Sequence, residues 1–337
     1  MIDGHGDDLY RYSGKIHINF STNIPQNVCH ERLLEHLHES GAVFRNYPEP
    51  EPKSIEQHLA SIYDLPQESI IVTNGATEAI YLLAHLFEGK KSAIIVPTFR
   101  EYQDAAGVFT HTISYLHSMN DIEGSDADVV WLCNPNNPTG QIFDRNRLLA
   151  TIDQCKNKVF IIDQAYALYS VKTVLSVDDV WERENIVVLN SLTKQFMIPG
   201  LRIGYAIGPK SLLDSLRRLR MPWSVNAIAI EAAHYLLDNN DGTNIDRQTL
   251  HEEALRLSAA LRETDIEVEP TDCNFLLARL PHKAASELKE WMVENYGILI
   301  RDASNFEGLT PEYFRIAAQE HAQNDIFIKA IKEWMLL

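Results

Sequence analysis

The sequence is poor in the residues that would tie it to a secreted, membrane-bound or nucleic-acid-bound setting. Four cysteines occur in 337 residues, Cys29, Cys133, Cys155 and Cys273, far apart and without the paired spacing of a metal site. They read as reduced structural thiols of a cytoplasmic protein, and no metal is expected. Basic residues are also scarce: 30 Lys plus Arg stand against 47 Asp plus Glu, a formal charge of −17. So acidic a surface argues against nucleic acid and anionic membranes as partners, yet a few arginines can still dominate one cleft. No apolar run reaches transmembrane length, and the opening residues carry neither a basic region nor an apolar run after it. Neither a membrane span nor a signal peptide is therefore expected. Internal repeats, low-complexity linkers and a strand-linked Gly-x-Gly-x-x-Gly are absent from the sequence, and the last absence counts against a plain nicotinamide enzyme.

What is present is an ordinary globular composition, 45% hydrophobic, on a chain long enough for two domains that share a cleft. Short apolar runs at Ser69–Thr73, Ser92–Val96, Val129–Cys133, Val159–Ile162 and Ile186–Leu189 read as buried strands and alternate with helical stretches. That alternation predicts an α/β domain with a mostly parallel sheet. Asn74, Phe99, Asn137, Asp163 and Lys194 each follow the end of one of these runs. Ligands of such sheets bind beyond the carboxyl ends of the strands, so these residues converge on one edge. After about Met221-Pro222 the pattern changes to helix 249–261, strand 273–280, helix 284–296 ended by Gly297, strands 298–301 and 313–317, and a last helix. This predicts a smaller α+β domain over 221–337, a large domain over 41–220, and an arm over 1–40 that packs with the small domain.

The stretch from Ser191 to Tyr205 carries the most chemistry. Ser191, Thr193, Lys194 and Arg202 lie close together, and the Pro199-Gly200 turn would bring Arg202 back toward the lysine. A lysine after a strand is usually a solvated charge. Here it sits among hydroxyls and an arginine, which bind phosphate, and a lysine amine condenses with aldehydes. Upstream, Asn74-Gly75-Ala76-Thr77-Glu78 opens a helix directly after a strand, which aims free N–H groups and the positive helix end at whatever sits there. Asp163 ends a buried strand, where an acid is costly without a cationic partner.

These motifs resemble the fold-type I aminotransferase superfamily over nearly the whole chain. The version Thr193-Lys194-Gln195-Phe196 followed by Ile198-Pro199-Gly200-Leu201-Arg202 is similar to threonine-phosphate decarboxylases, and somewhat less to histidinol-phosphate aminotransferases. The resemblance implies pyridoxal 5'-phosphate as cofactor, bound through Lys194, with its phosphate held by Ser191, Thr193, Arg202 and the amides of Ala76 and Thr77. From Pro97-Thr98-Phe99 it implies that Phe99 stacks on the pyridine ring, with Tyr102 on the same wall. From Asn134-Pro135-Asn136-Asn137-Pro138-Thr139-Gly140 and Asp163-Gln164-Ala165-Tyr166 it implies that Asn137 and Tyr166 bind the ring oxygen and Asp163 the ring nitrogen. Gln164 stands where the family often has glutamate. Tyr47, before Pro48, would reach a neighbouring subunit's cofactor phosphate across a homodimer.

On the substrate side, the resemblance implies that Arg315 grips a carboxylate and that Arg301 lies near a substrate phosphate. Asn23 is either a substrate contact or a turn asparagine before Ile24-Pro25. His5 matches the decarboxylases' opening only in part, because Asp7-Asp8 departs from it. The function implied is decarboxylation of O-phospho-L-threonine, as in cobamide synthesis. The alternative is a histidinol-phosphate or other amino-acid aminotransferase. A cofactor-binding regulator of this fold would be expected to carry a basic DNA-binding domain, and no basic segment of that kind is present.

Overall fold

The computed structural model describes residues 8–12, 14–26, 28–239 and 245–337. Thirteen strands are found among them: β1 (Ile18–Asn19), β2 (Ile70–Thr73), β3 (Lys91–Ile95), β4 (Thr112–Leu116), β5 (Val129–Cys133), β6 (Val159–Asp163), β7 (Ile186–Asn190), β8 (Gly204–Ile207), β9 (Glu267–Val268), β10 (Phe275–Arg279), β11 (Ile298–Leu299), β12 (Arg301–Asp302) and β13 (Tyr313–Ala317). Seven form the large sheet in the order β2-β8-β7-β6-β5-β3-β4. The run from β7 to β4 is parallel throughout, and β8 is antiparallel to both its neighbours.

Alternation along the buried strands explains the three layers. Val130, Leu132, Phe160 and Ile162 join an apolar cluster with Leu148 and Ile152 of helix Arg145–Gln154. Val129, Trp131 and Ile161 point the other way, into a cluster with Ala79, Ile80 and Leu83 of helix Gly75–Leu86. Successive side chains of a strand face opposite sides, so a sheet covered on both faces reads as a continuous apolar run. The five expected strands lie where the runs predict them. Two others were not expected. β4 is a half-exposed edge strand, and β8 is four residues long and opens on a glycine, so neither gives a strong apolar signal.

The second sheet, β12-β13-β10-β9, is antiparallel. It is covered by helices Arg247–Arg262, Ala285–Tyr296 and His321–Trp334. The expected strand over 298–301 divides at Ile300. Its first half pairs with β1 of the arm, and Arg301 pairs with β13. The arm is thereby stitched to the small domain, with Ile18 and Phe20 in that domain's core. Helix Glu31–Glu39 instead packs on helix Ala227–Asn239, and both contribute to the core under the large sheet through Leu33, Ala229, Ala233 and Leu236. The boundary expected at residue 220 therefore precedes a helix whose apolar face belongs with the large sheet. No helix among the described residues is long and apolar enough to cross a membrane.

Candidate active site

β7 delivers Lys194 by way of a tightly closed loop. Ser191 caps the short helix Leu192–Gln195, accepting from the Lys194 N–H at 3.4 Å. The Thr193 hydroxyl donates to the Ile203 carbonyl at 3.0 Å and accepts from the Ile203 N–H at 3.1 Å, so its proton closes the loop. This fastening returns Arg202 toward the lysine as the Pro-Gly turn predicts, with Arg202 in the left-handed region at φ 58°. The Lys194 amine stands 5.5 Å from the centre of the Tyr166 ring.

Arg202 meets the start of helix Gly75–Leu86. Gly75 has φ 73°, and a Cβ there would come within 2.8 Å of the Arg202 guanidinium. The first N–H groups of any helix lack intrahelical acceptors. The Ala76 and Thr77 amides, one guanidinium and the Ser191 hydroxyl thus surround the cavity on this side. Gly204 makes the approach possible, because a Cβ on it would meet the Ala76 nitrogen at 2.6 Å and the Asn190 carbonyl at 2.9 Å. No sequence motif pointed to Gly204.

Asp163, at the end of β6, is 4% exposed. It accepts from the Tyr102 hydroxyl at 2.8 Å and from the Ala165 N–H at 2.9 Å. Burial raises its carboxyl above the usual range, opposed by those two hydrogen bonds and by the charge of Lys194. Tyr102 is fully buried and stacks on Trp131, with ring centres 5.8 Å apart. It stands behind the acid rather than on the cavity wall that the sequence suggested. Phe99 lies edge-on to Tyr102 and does line the cavity.

The small domain and the arm supply the opposing charge. Arg301 and Arg315 are directly paired across β12 and β13, so both side chains stand on one face. They are 7% and 4% exposed, and neither forms an ion pair among the described residues. Arg315 donates to the Asn137 side-chain carbonyl and to the Ser21 carbonyl, and its Nε is buried without a partner. Arg301 donates to Asn305 Oδ1 at 2.6 Å and lies 5.4 Å from the centre of the Phe306 ring. Desolvation lowers both guanidinium pKa values to about 10, with Arg315 adding to the shift of Arg301. Two adjacent buried cations without a carboxylate are a cost that an anionic ligand would offset. Asn23 is 1% exposed with both side-chain polar atoms unpartnered, which favours the ligand-contact reading over the turn reading.

Apart from Tyr47 and Tyr102, the cofactor and substrate candidates among the described residues line one cavity of about 320 Å³. Tyr47 is 87% exposed and packs near Trp223. His5 lies outside the described residues. Arg100 also lines the cavity. It follows Phe99 in the strand-end motif, and its place after a ligand-facing aromatic was the available signal.

An α/β sheet that brings a lysine and a buried aspartate to one cavity, beside a phosphate-type helix start, is the architecture of enzymes that work through an aldehyde cofactor. The chain belongs to the class I and II aminotransferase family, whose model matches residues 15–331. It is 32% identical to a putative threonine-phosphate decarboxylase of Caldanaerobacter subterraneus, covering 97% of this chain and 93% of that protein. A histidinol-phosphate aminotransferase of Pyrococcus furiosus is 28% identical, covering 90% and 87%. Among solved structures, L-threonine-O-3-phosphate decarboxylase from Porphyromonas gingivalis superposes with a TM-score of 0.91 at 36% identity, covering 95% of this chain and all of that one.

The family's cofactor is pyridoxal phosphate, and the residues fit it. The helix start, Arg202 and Ser191 suit its phosphate, the buried Asp163 suits a protonated ring nitrogen, and the amine of Lys194 suits its aldehyde. The Asn137 side-chain carbonyl accepts from Arg315, so its amide N–H groups would be left to donate to the ring oxygen beside the Tyr166 hydroxyl.

Proposed function

We propose that this chain is a pyridoxal phosphate-dependent decarboxylase of O-phospho-L-threonine, the activity its sequence resemblance implies for cobamide synthesis. The observation that carries the reading is the buried, unpaired couple Arg301 and Arg315. A phosphorylated amino acid presents two anionic groups, a carboxylate and a phosphate, and so matches two cations held side by side. The likeness to threonine-phosphate decarboxylases supports the same substrate. The four cysteines are free thiols, in keeping with a cytoplasmic site of action.

When bound, the pyridine ring withdraws electrons from the substrate α-carbon, so that either carbon dioxide or a proton can leave it. The protein's own groups decide which. Arg315 grips the carboxylate, and Arg301 with Asn23 holds the phosphate; together they set the angle of the scissile bond to the ring. Asp163 keeps the ring nitrogen protonated, with Tyr102 fixing the carboxylate. Lys194 Nζ carries the proton at the α-carbon. The buried setting of the arginines excludes water from the anion pair and strengthens it.

Exposed apolar residues support a homodimer. Phe44, Tyr47, Met221 and Trp223 are 71%, 87%, 73% and 50% exposed, and the Tyr47 and Trp223 rings lie 5.7 Å apart, as suits a partner surface. Tyr47 then serves the neighbouring subunit's cofactor phosphate.

The test supplies purified holoenzyme with O-phospho-L-threonine and measures carbon dioxide and 1-aminopropan-2-yl phosphate in equal amounts. A parallel assay supplies histidinol phosphate with 2-oxoglutarate and measures glutamate. Glutamate formation without carbon dioxide release would replace decarboxylation with transamination.

A further inference from the structure

The phosphate end of this cavity carries a third arginine that the reading above does not use. Arg100 stands just ahead of helix Glu101–Val108 in the large domain. Its Nη1 donates across the cleft to the Asn305 backbone carbonyl at 3.2 Å. Asn305 belongs to the small-domain segment that follows β12, and its side chain accepts from Arg301 at 2.6 Å. The two guanidiniums are therefore joined through a single residue, one from each domain. They are close enough for the charge of Arg100 to lower the proton affinity of Arg301.

Asp104 forms an ion pair with Arg100 through Nε at 3.3 Å and orients the group from its own helix, while Nη1 reaches the small domain. Glu101 also lines the cavity, and it engages Tyr81. A monoanionic carboxylate needs one arginine, and Arg315 supplies it. A phosphate carries close to two negative charges at neutral pH and offers three acceptor oxygens, which calls for more than Arg301 alone.

We propose that Arg100 and Arg301, coupled through Asn305, form a clamp on the substrate phosphate that bridges the two domains. Arg100 is then the residue that sets preference for phosphorylated over plain amino acids. The inference rests on the proposed substrate class but not on which α-carbon bond breaks. The links through Asn305 are already formed, at 3.2 Å from Arg100 and 2.6 Å from Arg301, so both cations stand at the same end of the cavity. A substrate without phosphate has no group for them to bind.

The test compares wild-type holoenzyme with Arg100→Met and Asn305→Ala. Arg100→Met is expected to raise KM for O-phospho-L-threonine by about 10- to 100-fold, the range for a lost hydrogen bond to a charged group, with a smaller change in kcat. Inorganic phosphate, titrated as a competitor of the substrate, should weaken in step. Asn305→Ala should move both in the same direction by less. Cofactor affinity and melting temperature should stay at wild-type values, which a merely structural role would not allow. If the wild type neither binds nor turns over phosphothreonine, the functional reading itself fails. If the wild type does, and both variants keep its KM and its phosphate inhibition, the clamp is overturned.

Discussion

Asp163 illustrates how a single side chain can work against the fold that carries it. Burial raises its carboxyl pKa, so the folded protein without cofactor holds a proton that the unfolded chain releases. Stability from this group is therefore present below the ordinary carboxylate range and is lost as pH rises toward the raised value. Above the ordinary carboxylate range the burial of this acid is a net cost, partly offset by the hydrogen bonds from Tyr102 and Ala165. We expect Asp163→Asn to stabilise the cofactor-free protein at pH 7 by on the order of 1 kcal/mol, and to lose that advantage at pH 4. Thermal melts of the cofactor-free protein at the two values check this; a variant less stable than wild type at pH 7 would contradict it. With cofactor bound the order should reverse, because a protonated ring nitrogen pairs with aspartate and not with asparagine. The place of Asp163 was legible from a buried run ending in an acid. That of Tyr102 was not, since a tyrosine behind a carboxylate and one on a cavity wall look alike in sequence.

At the scale of elements, the helix Gly75–Leu86 and β8 depend on each other. The helix start can face a phosphate only because β8 begins without a side chain where the Ala76 nitrogen passes. In Gly204→Ala the new Cβ would meet backbone atoms at 2.6 and 2.9 Å, and backbone cannot swing aside as a flexible side chain can. The expected loss is about 1–3 kcal/mol in denaturant unfolding, with weaker cofactor binding because the helix start moves. Unchanged stability would show that the contact relaxes freely. The elements that were legible share a cause: apolar runs long enough to span a sheet covered on both faces. β8 is short and β12 is two residues long, so their pairing follows from tertiary contacts. Yet it is the β12–β13 pairing that sets Arg301 beside Arg315, so the charge pair central to the site was invisible as a pair until the register was known.

At the scale of the molecule, the exposed strap around Tyr47 poses a question of arrangement. The other cofactor and substrate candidates line one cavity, whereas Tyr47 lies on the surface near Trp223. If Tyr47 completes a neighbour's site, each site in a dimer combines Lys194 of one chain with Tyr47 of the other. Two crippled variants, Tyr47→Ala and Lys194→Ala, then become complementary. A hybrid dimer holds one site with both residues intact and one with both replaced. Were Tyr47 to act within its own chain, both sites of the hybrid would carry a defect. Random reassociation of equal amounts makes about half of the dimers hybrids, so activity should recover to about a quarter of wild type. The mixture must first be unfolded and refolded together, or co-expressed with two tags and purified through both. Recovery that appears only after subunit exchange supports the cross-subunit tyrosine, and a mixture no more active than the better of its two parents excludes it.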